Sequence, residues 1–236
     1  IDWDGEIWLE DTGSKLITTY TFETNESGLV YPTEMYVWHL NWTDRNSDGT
    51  VDHCEAVRIP ELDNLMTYQG TSIRIGGSSD GIRFFTAVPA DAQDALIKGT
   101  LLTGALEGYR LVEMGTLYKW AETGTELTTG NGVASYVYGK DAGSKFRVFS
   151  KNGEDNWFTG MLVGLDGEAA TLAKDIISRP YAILENADGE QITLYGGSVQ
   201  RSVYDVALQN KDTWKSGTAY DNYVEKIIAT VEAAEG

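Results

Sequence analysis

"YVWHLNWTDRNSDGTVDHCEAVRIP", residues 36–60, decides between two kinds of fold. Its inner twelve residues match a calcium loop of the EF-hand kind. Asp44, Asn46, Asp48, Gly49, Asp52 and Glu55 stand at loop positions one, three, five, six, nine and twelve. Such a loop normally joins two helices, whose apolar residues recur every three or four positions. These flanks do not. Tyr36, Trp38, Leu40 and Trp42 fall on one side of an alternating pattern and Val37, His39 and Asn41 on the other, the period of a strand. Downstream, β-branched Val51, Val57 and Ile59 meet Pro60 too soon for an exiting helix. The stretch predicts strand, calcium loop, strand, with a structural ion in place of a sensor's lever.

The ligand chemistry holds in that setting. Asp44, Asn46, Asp48 and Asp52 crowd together and repel one another unless a hard, oxygen-seeking cation lies among them. The main-chain carbonyl of Thr50 is a natural further ligand. Glu55 closes the site if the chain turns helical and points away if it continues as a strand. Ca2+ is therefore the expected cofactor, against the plainer reading of an acidic, solvated turn.

Composition bounds the rest. The 236 residues, 42% of them hydrophobic, suffice to bury a core as one β-rich module over 1–236, with residues 1–68 as an N-terminal subregion carrying the calcium hairpin. A net charge of −18 argues against nucleic acid and anionic membranes as partners. Cys54 is the only cysteine, so no intrachain disulfide forms, and no apolar run is long enough to span a bilayer. Since the chain opens on Ile1, it reads as a mature or excised fragment.

Along the chain, strand patterns dominate: 16–23, 36–42, the pair within 72–88, "EGYRLVEMGTLYKWAE" with a bulge at Gly115, "VASYVYG", and hairpins turning at Asn152-Gly153 and Asp188-Gly189. A short helix over 90–99 follows Pro89, and two helices close the chain, the first capped by Ser202. The expected class is mainly β, antiparallel and sandwich-like, with a few peripheral helices, two of them C-terminal.

"SIRI" with "DGIRFFTAV", "EGYRLVEMGTLY" and "SRPYAILENADGEQITLYGGSVQRSVYDVA" resemble a module recurring in surface and secreted proteins of Gram-positive gut anaerobes, over about residues 72–209. Such modules accompany dockerins, immunoglobulin-like repeats or glycoside hydrolases. More broadly, the chain looks like a starch-adherence protein of an amylosome-type system. The resemblance implies an extracellular or cell-surface location near polysaccharide and other modules of the same surface protein. It carries over no site residue.

Catalytic constellations are hard to assemble. His39 and His53 read as structural, and Cys54 has no orienting partner. Paired carboxylates would suit a glycoside hydrolase, but 36 acidic residues single out no pair. Aromatics say more, because sugars stack their C–H faces on rings. The stripe of Tyr36, Trp38, Leu40 and Trp42 reads as core, as do Phe84, Phe146 and Phe149. Trp157, Trp214, Trp120 and Tyr118, at loops and strand ends, are the expected sugar contacts, with Trp3 and Trp8 weaker candidates. The sequence thus points to a non-catalytic module binding polysaccharide, with α-glucan such as starch as the specific expectation. The competing readings are a structural spacer or protein-interaction module and, third, a glycoside hydrolase.

Overall fold

A computed structural model describes residues 15–24, 30–49, 53–74, 81–121, 126–165, 167–211 and 219–235. Among them the chain runs β1 (Lys15–Thr24), β2 (Val30–Thr43), β3 (His53–Arg58), β4 (Thr67–Arg74), β5 (Gly81–Pro89) and α1 (Ala90–Lys98). It continues through β6 (Arg110–Trp120), β7 (Val133–Tyr138), β8 (Ser150–Asn152), β9 (Asp155–Val163) and α2 (Ala169–Ala173). The last elements are β10 (Ile176–Glu185), β11 (Gln191–Tyr195), β12 (Val199–Arg201), α3 (Val203–Asn210) and α4 (Ala219–Glu235). Among the described residues the fold is mainly β, every strand pairing is antiparallel, and β2, ending at Thr43, pairs with β3, beginning at His53.

Three sheets form, in the orders β1-β2-β3, β4-β5-β9-β8 and β11-β10-β6-β7, with β12 added to β10. The anticipated bulge at Gly115 is real: the β6–β7 register shifts between Met114 and Gly115. α1 follows Pro89 and ends at Gly99, whose N–H bonds Leu96 O at 3.1 Å. α3 opens on the expected cap, where Ser202 Oγ accepts from Asp205 N at 2.9 Å and Asp205 accepts in return from Ser202 N. The short α2 and β12 have no clear sequence signal, since five and three residues are too few to establish a period.

The four- and five-stranded sheets face each other. On β5, Ile82, Phe84, Thr86 and Val88 turn inward, and on β6, Met114, Thr116 and Tyr118 do so. Phe84 and Tyr118 meet with ring centroids 5.7 Å apart. Opposite them Gly160 of β9 leaves bare backbone: a Cβ there would lie 1.5 Å from the Tyr118 hydroxyl and 2.5 Å from Thr116 Cβ. One core holds Leu62, Leu65, Met66, Leu111 and Phe158 beside the inner face of β2. A second lies where α3 and α4 bring Val203, Val206, Ile227 and Val231 over Ile73, Ile82 and Ile176.

Two aromatic expectations are corrected here. β2 buries Met35, Val37 and His39, so the stripe containing Tyr36 and Trp38 faces outward and is half-buried, although Leu40 is enclosed. The core lies on the Val37 side because Leu16 and Tyr20 of β1, paired with His39 and Met35, pack on the same apolar cluster. Phe84 and Phe146 are core as expected, but Phe149 is 52% exposed. It precedes a three-residue edge strand and meets Phe85 on the outer side of its sheet.

Gly160→Ala should cost about 1–3 kcal/mol by overpacking. The Tyr118 hydroxyl lies beside Thr116 Oγ1 without a well-formed hydrogen bond for either, so Tyr118→Phe should change stability little. The double variant should recover part of the Gly160→Ala loss in urea unfolding, and strict additivity would refute the contact's role. Burial first, joined at Tyr181 by the Glu113 carboxylate, holds the phenols of Tyr118 and Tyr181 above their ordinary range. Folded values above the unfolded one mean that this stability is complete below about pH 10 and falls as pH rises beyond it. Tyr118→Phe or Tyr181→Phe should flatten that alkaline fall, and an unchanged slope would contradict the assignment.

Candidate functional site

Four places gather chemistry, beginning with the acidic loop. Asp44 turns its carboxylate over the loop, Oδ1 accepting from Ser47 N at 2.6 Å and Oδ2 from Gly49 N at 2.8 Å. Asn46 Oδ1 accepts from Asp48 N at 3.0 Å. Gly49 takes φ +87°, as the tight turn requires. Glu55 lies within β3, exposed and opposite Asn41. Thr50 and Asp52 lie outside the described residues. Among the described ones no group of three acidic, histidine or cysteine side chains converges as a metal cage. His53 instead meets Arg45 through Nε2, and His39 is buried in β2.

The outer face of the five-stranded sheet carries a polar network. Glu113, Arg179 and Tyr181 are all buried there. Tyr181 donates to Glu113 Oε1 at 2.6 Å, and Lys140 Nζ lies 3.1 Å from Glu113 Oε2. That hydrogen bond holds the Lys140 ammonium above its usual range. Arg179 bonds Gly196 O, Leu127 O and Glu126, while its guanidinium lies 4.6 Å from the Tyr195 ring. With both Glu113 oxygens and both ends of the Arg179 fork engaged, the network acts as a strut.

The outer face of β1-β2-β3 presents rings. Tyr36 and Trp38 project from one side of β2, about 7 Å apart by strand geometry. Arg58 lies 4.4 Å from the Tyr36 ring centroid and is held by Asp63 through 2.6 and 2.8 Å contacts. The Tyr36 hydroxyl donates to Glu34, and Trp38 Nε1 donates to Thr19 Oγ1 at 3.0 Å. The hydrogen bond to Glu34, first among the causes, raises the Tyr36 pKa. Both rings are thus pinned, with the polar groups of Glu34, Thr19 and Arg58 beside them. Among the described residues no ring or cation is stacked on Trp38. In the β2–β3 register Trp42 pairs with Cys54.

The outer face of the four-stranded sheet is different. Phe85 meets Phe149 edge-on at 5.3 Å and Trp157 at 6.4 Å, and Arg83 lies 5.7 Å from the Phe149 ring. Val148, Met161 and Val163 are exposed nearby in the sequence of the same strands and their lead-in.

The anticipated sugar contacts therefore scatter. Tyr118 is corrected outright: at 3% exposure it is wedged between sheets and offers no open ring face. Trp120 is half-buried against the second core with Lys174 Nζ 5.2 Å from its ring. Trp157 belongs to the Phe85–Phe149 cluster, and Trp214, Trp3 and Trp8 lie outside the described residues. That Tyr36 and Trp38 face outward was not legible in the sequence, because alternation assigns two faces without saying which is wet. Comparison with protein-family models, curated proteins and solved structures returns no match.

Proposed function

We propose that the protein is a non-catalytic adherence module, outside the cell or on its surface, that binds polysaccharide on the outer face of β1-β2-β3. One observation carries this reading: Tyr36 and Trp38, alternate residues of one strand, stand on an outward face with hydrogen-bonding groups in the adjoining rows. A glycan's C–H face stacks on Trp38, and its hydroxyls bond Glu34, Thr19 and Arg58, with no covalent step. α-Glucan such as starch is the substrate that the sequence resemblance favours.

Calcium belongs to the same proposal as a brace. Asp44, Asn46 and Asp48 would hold it, with Thr50 O and Asp52 completing the set, while the strand course of Glu55 argues against that residue as a ligand. The ion would neutralise crowded carboxylates at the turn end of the β2–β3 hairpin. The competing reading, a spacer or protein-interaction module, draws support from the exposed apolar residues on the four-stranded sheet.

Affinity electrophoresis against starch, xylan, mannan and cellulose tests the reading. Trp38→Ala should weaken retardation by the bound glycan at least tenfold, within the roughly 1–3 kcal/mol typical of aromatic contacts. Its melting temperature should fall less than that of Phe158→Ala, a core truncation costing about 3–5 kcal/mol. Absence of binding to all four glycans, or full binding by Trp38→Ala, would sink the proposal. Chelation should lower the melting temperature of the parent and leave Asp48→Ala nearly unmoved, whereas a parent curve indifferent to calcium would remove the ion.

A further inference from the structure

A cleft opens where the three sheets meet. β1 and β2 bring Tyr20 and Glu34 to it, β4 brings Thr67 and Tyr68, and Gly197 closes it from the link between β11 and β12. Buried Met35 and Met66 give it an apolar base, and the space is about 320 Å³, part of it open to solvent. That is the small end of the range for ligand sites, roughly 300–1,000 Å³, which combine apolar and aromatic walls with a few placed polar groups.

The walls are held before any ligand arrives. The Tyr20 hydroxyl lies 2.6 Å from Tyr195 O and 2.9 Å from Gly196 O, and Arg179 Nε reaches Gly196 O at 3.0 Å, so the Arg179 strut also fixes this side. Asn64 fixes the other. It takes φ +53°, a left-handed backbone uncommon outside glycine, and is kept there by two bonds to Met35: its own N–H donates to Met35 O at 2.9 Å, and Met35 N donates to its Oδ1 at 2.7 Å. Backbone strain of this kind gathers at ligand sites. Because the atom that accepts from an N–H must be the oxygen, the Nδ2 end of Asn64 is the one left without a partner among the described residues. Thr67 Oγ1 accepts from Gln69 Nε2 at 2.9 Å, which leaves its own O–H to donate. Glu34 Oε2 accepts from Tyr36, which leaves Oε1.

We infer that the cleft is a subsite for one uncharged sugar unit, with its C–H faces against the rings of Tyr20 and Tyr68 and its neighbouring hydroxyls shared among Asn64 Nδ2, the Thr67 hydroxyl and Glu34 Oε1. A sugar hydroxyl both donates and accepts, so two donors beside one carboxylate oxygen match a pair of them. The lining disfavours other small ligands. No Lys, Arg or His is among the lining residues, and Arg201, close enough to influence the Tyr68 phenol, is not one of them, so an acid would face Glu34 uncompensated. An amine would answer Glu34 and leave both donors unpaired. The subsite rests on the glycan-binding role proposed above and adds a pocket to it. Glu34 joins the two, since it accepts from Tyr36 and also lines the cleft, and a chain lying on Trp38 can place one unit here, roughly 14 Å along β2.

Two-dimensional amide NMR on the whole chain provides the test, with maltose, cellobiose, mannobiose and xylobiose as probes, glucuronate as an acid and putrescine as an amine. At least one disaccharide should shift the Asn64 side-chain amide and the Gly197 N–H. Asn64→Asp keeps the acceptor for Met35 N and removes only the donor, so it should weaken that disaccharide about tenfold; Thr67→Val, of nearly equal volume, should weaken it about fivefold. Thr67→Val carries the test if Asn64→Asp does not fold. Trp38→Ala should leave the disaccharide titration of the cleft unchanged. Polymer binding with no disaccharide in the cleft overturns the subsite and spares the Trp38 face, whereas a disaccharide in the cleft with no polymer bound supports the subsite and removes the Trp38 face. Shifts confined to residues around Trp38, equal binding of glucuronate, binding of putrescine in place of the sugars, or unchanged affinity in both cleft variants each overturn the inference.

Discussion

The Tyr118 ring against the bare backbone of Gly160 is the contact on which the rest of the molecule depends. Facing sheets ordinarily sit about 10 Å apart, with side chains interleaved between them. Here one partner has withdrawn its side chain so that the other can insert a whole phenol. Tyr118 then reaches Phe84 and joins the core covered by α3 and α4, while Met114, two turns of the pleat earlier on the same face, belongs to the neighbouring core around Phe158. The contact lies at the seam between the two apolar clusters, and the outward faces of both sheets take their positions from it.

A second constraint orients the three-stranded sheet. Buried charge is tolerated only when paired and hydrogen-bonded, so Arg179 draws in Glu126, Leu127 O and Gly196 O. Tyr20 of β1 joins the same place, its hydroxyl lying 2.6 Å from Tyr195 O and 2.9 Å from Gly196 O. β1 is thereby fastened to the end of β11 with its Tyr20 side inward. Since Tyr20 pairs with Met35, the Met35–Val37 side of β2 follows it into the core. Tyr36 and Trp38 must then face out. A network that looks reactive when read as a collection of acids and bases serves to aim a distant sheet.

Charge is distributed with similar economy. A net −18 repels polyanions at long range, while on the face of Phe85 and Trp157 Arg83 shares its side with Asp155 by register. The ring-bearing face of β2 instead has a mixed border of Glu34 and Arg58.

Much of the architecture was legible in the sequence because strand period, turn residues and caps are local properties. The alternation of 36–42, the Gly115 bulge, the Ser202 cap, and the strand course through Glu55 all follow from residues within a few positions of one another. Which face of a strand meets the core is not local. Tyr36 and Val37 are equally apolar in pattern, and only the docking of β1 through Tyr20, 175 residues from its partner Tyr195, decides between them. Phe149 and Tyr118 exchanged expected roles for the same reason: exposure depends on the opposing sheet, and no spacing along β6 announces that Gly160 will lie across from it. "GIRFFTAV" and "NWFTGMLV" did carry a sign of the outer patch, apolar residues on both faces of one strand, but that pattern equally fits a strand covered on both sides. The sequence by itself determined the strands, turns and caps, because neighbouring residues set the backbone; the tertiary structure decided which rings face water, because burial is set by whichever distant chain packs against them.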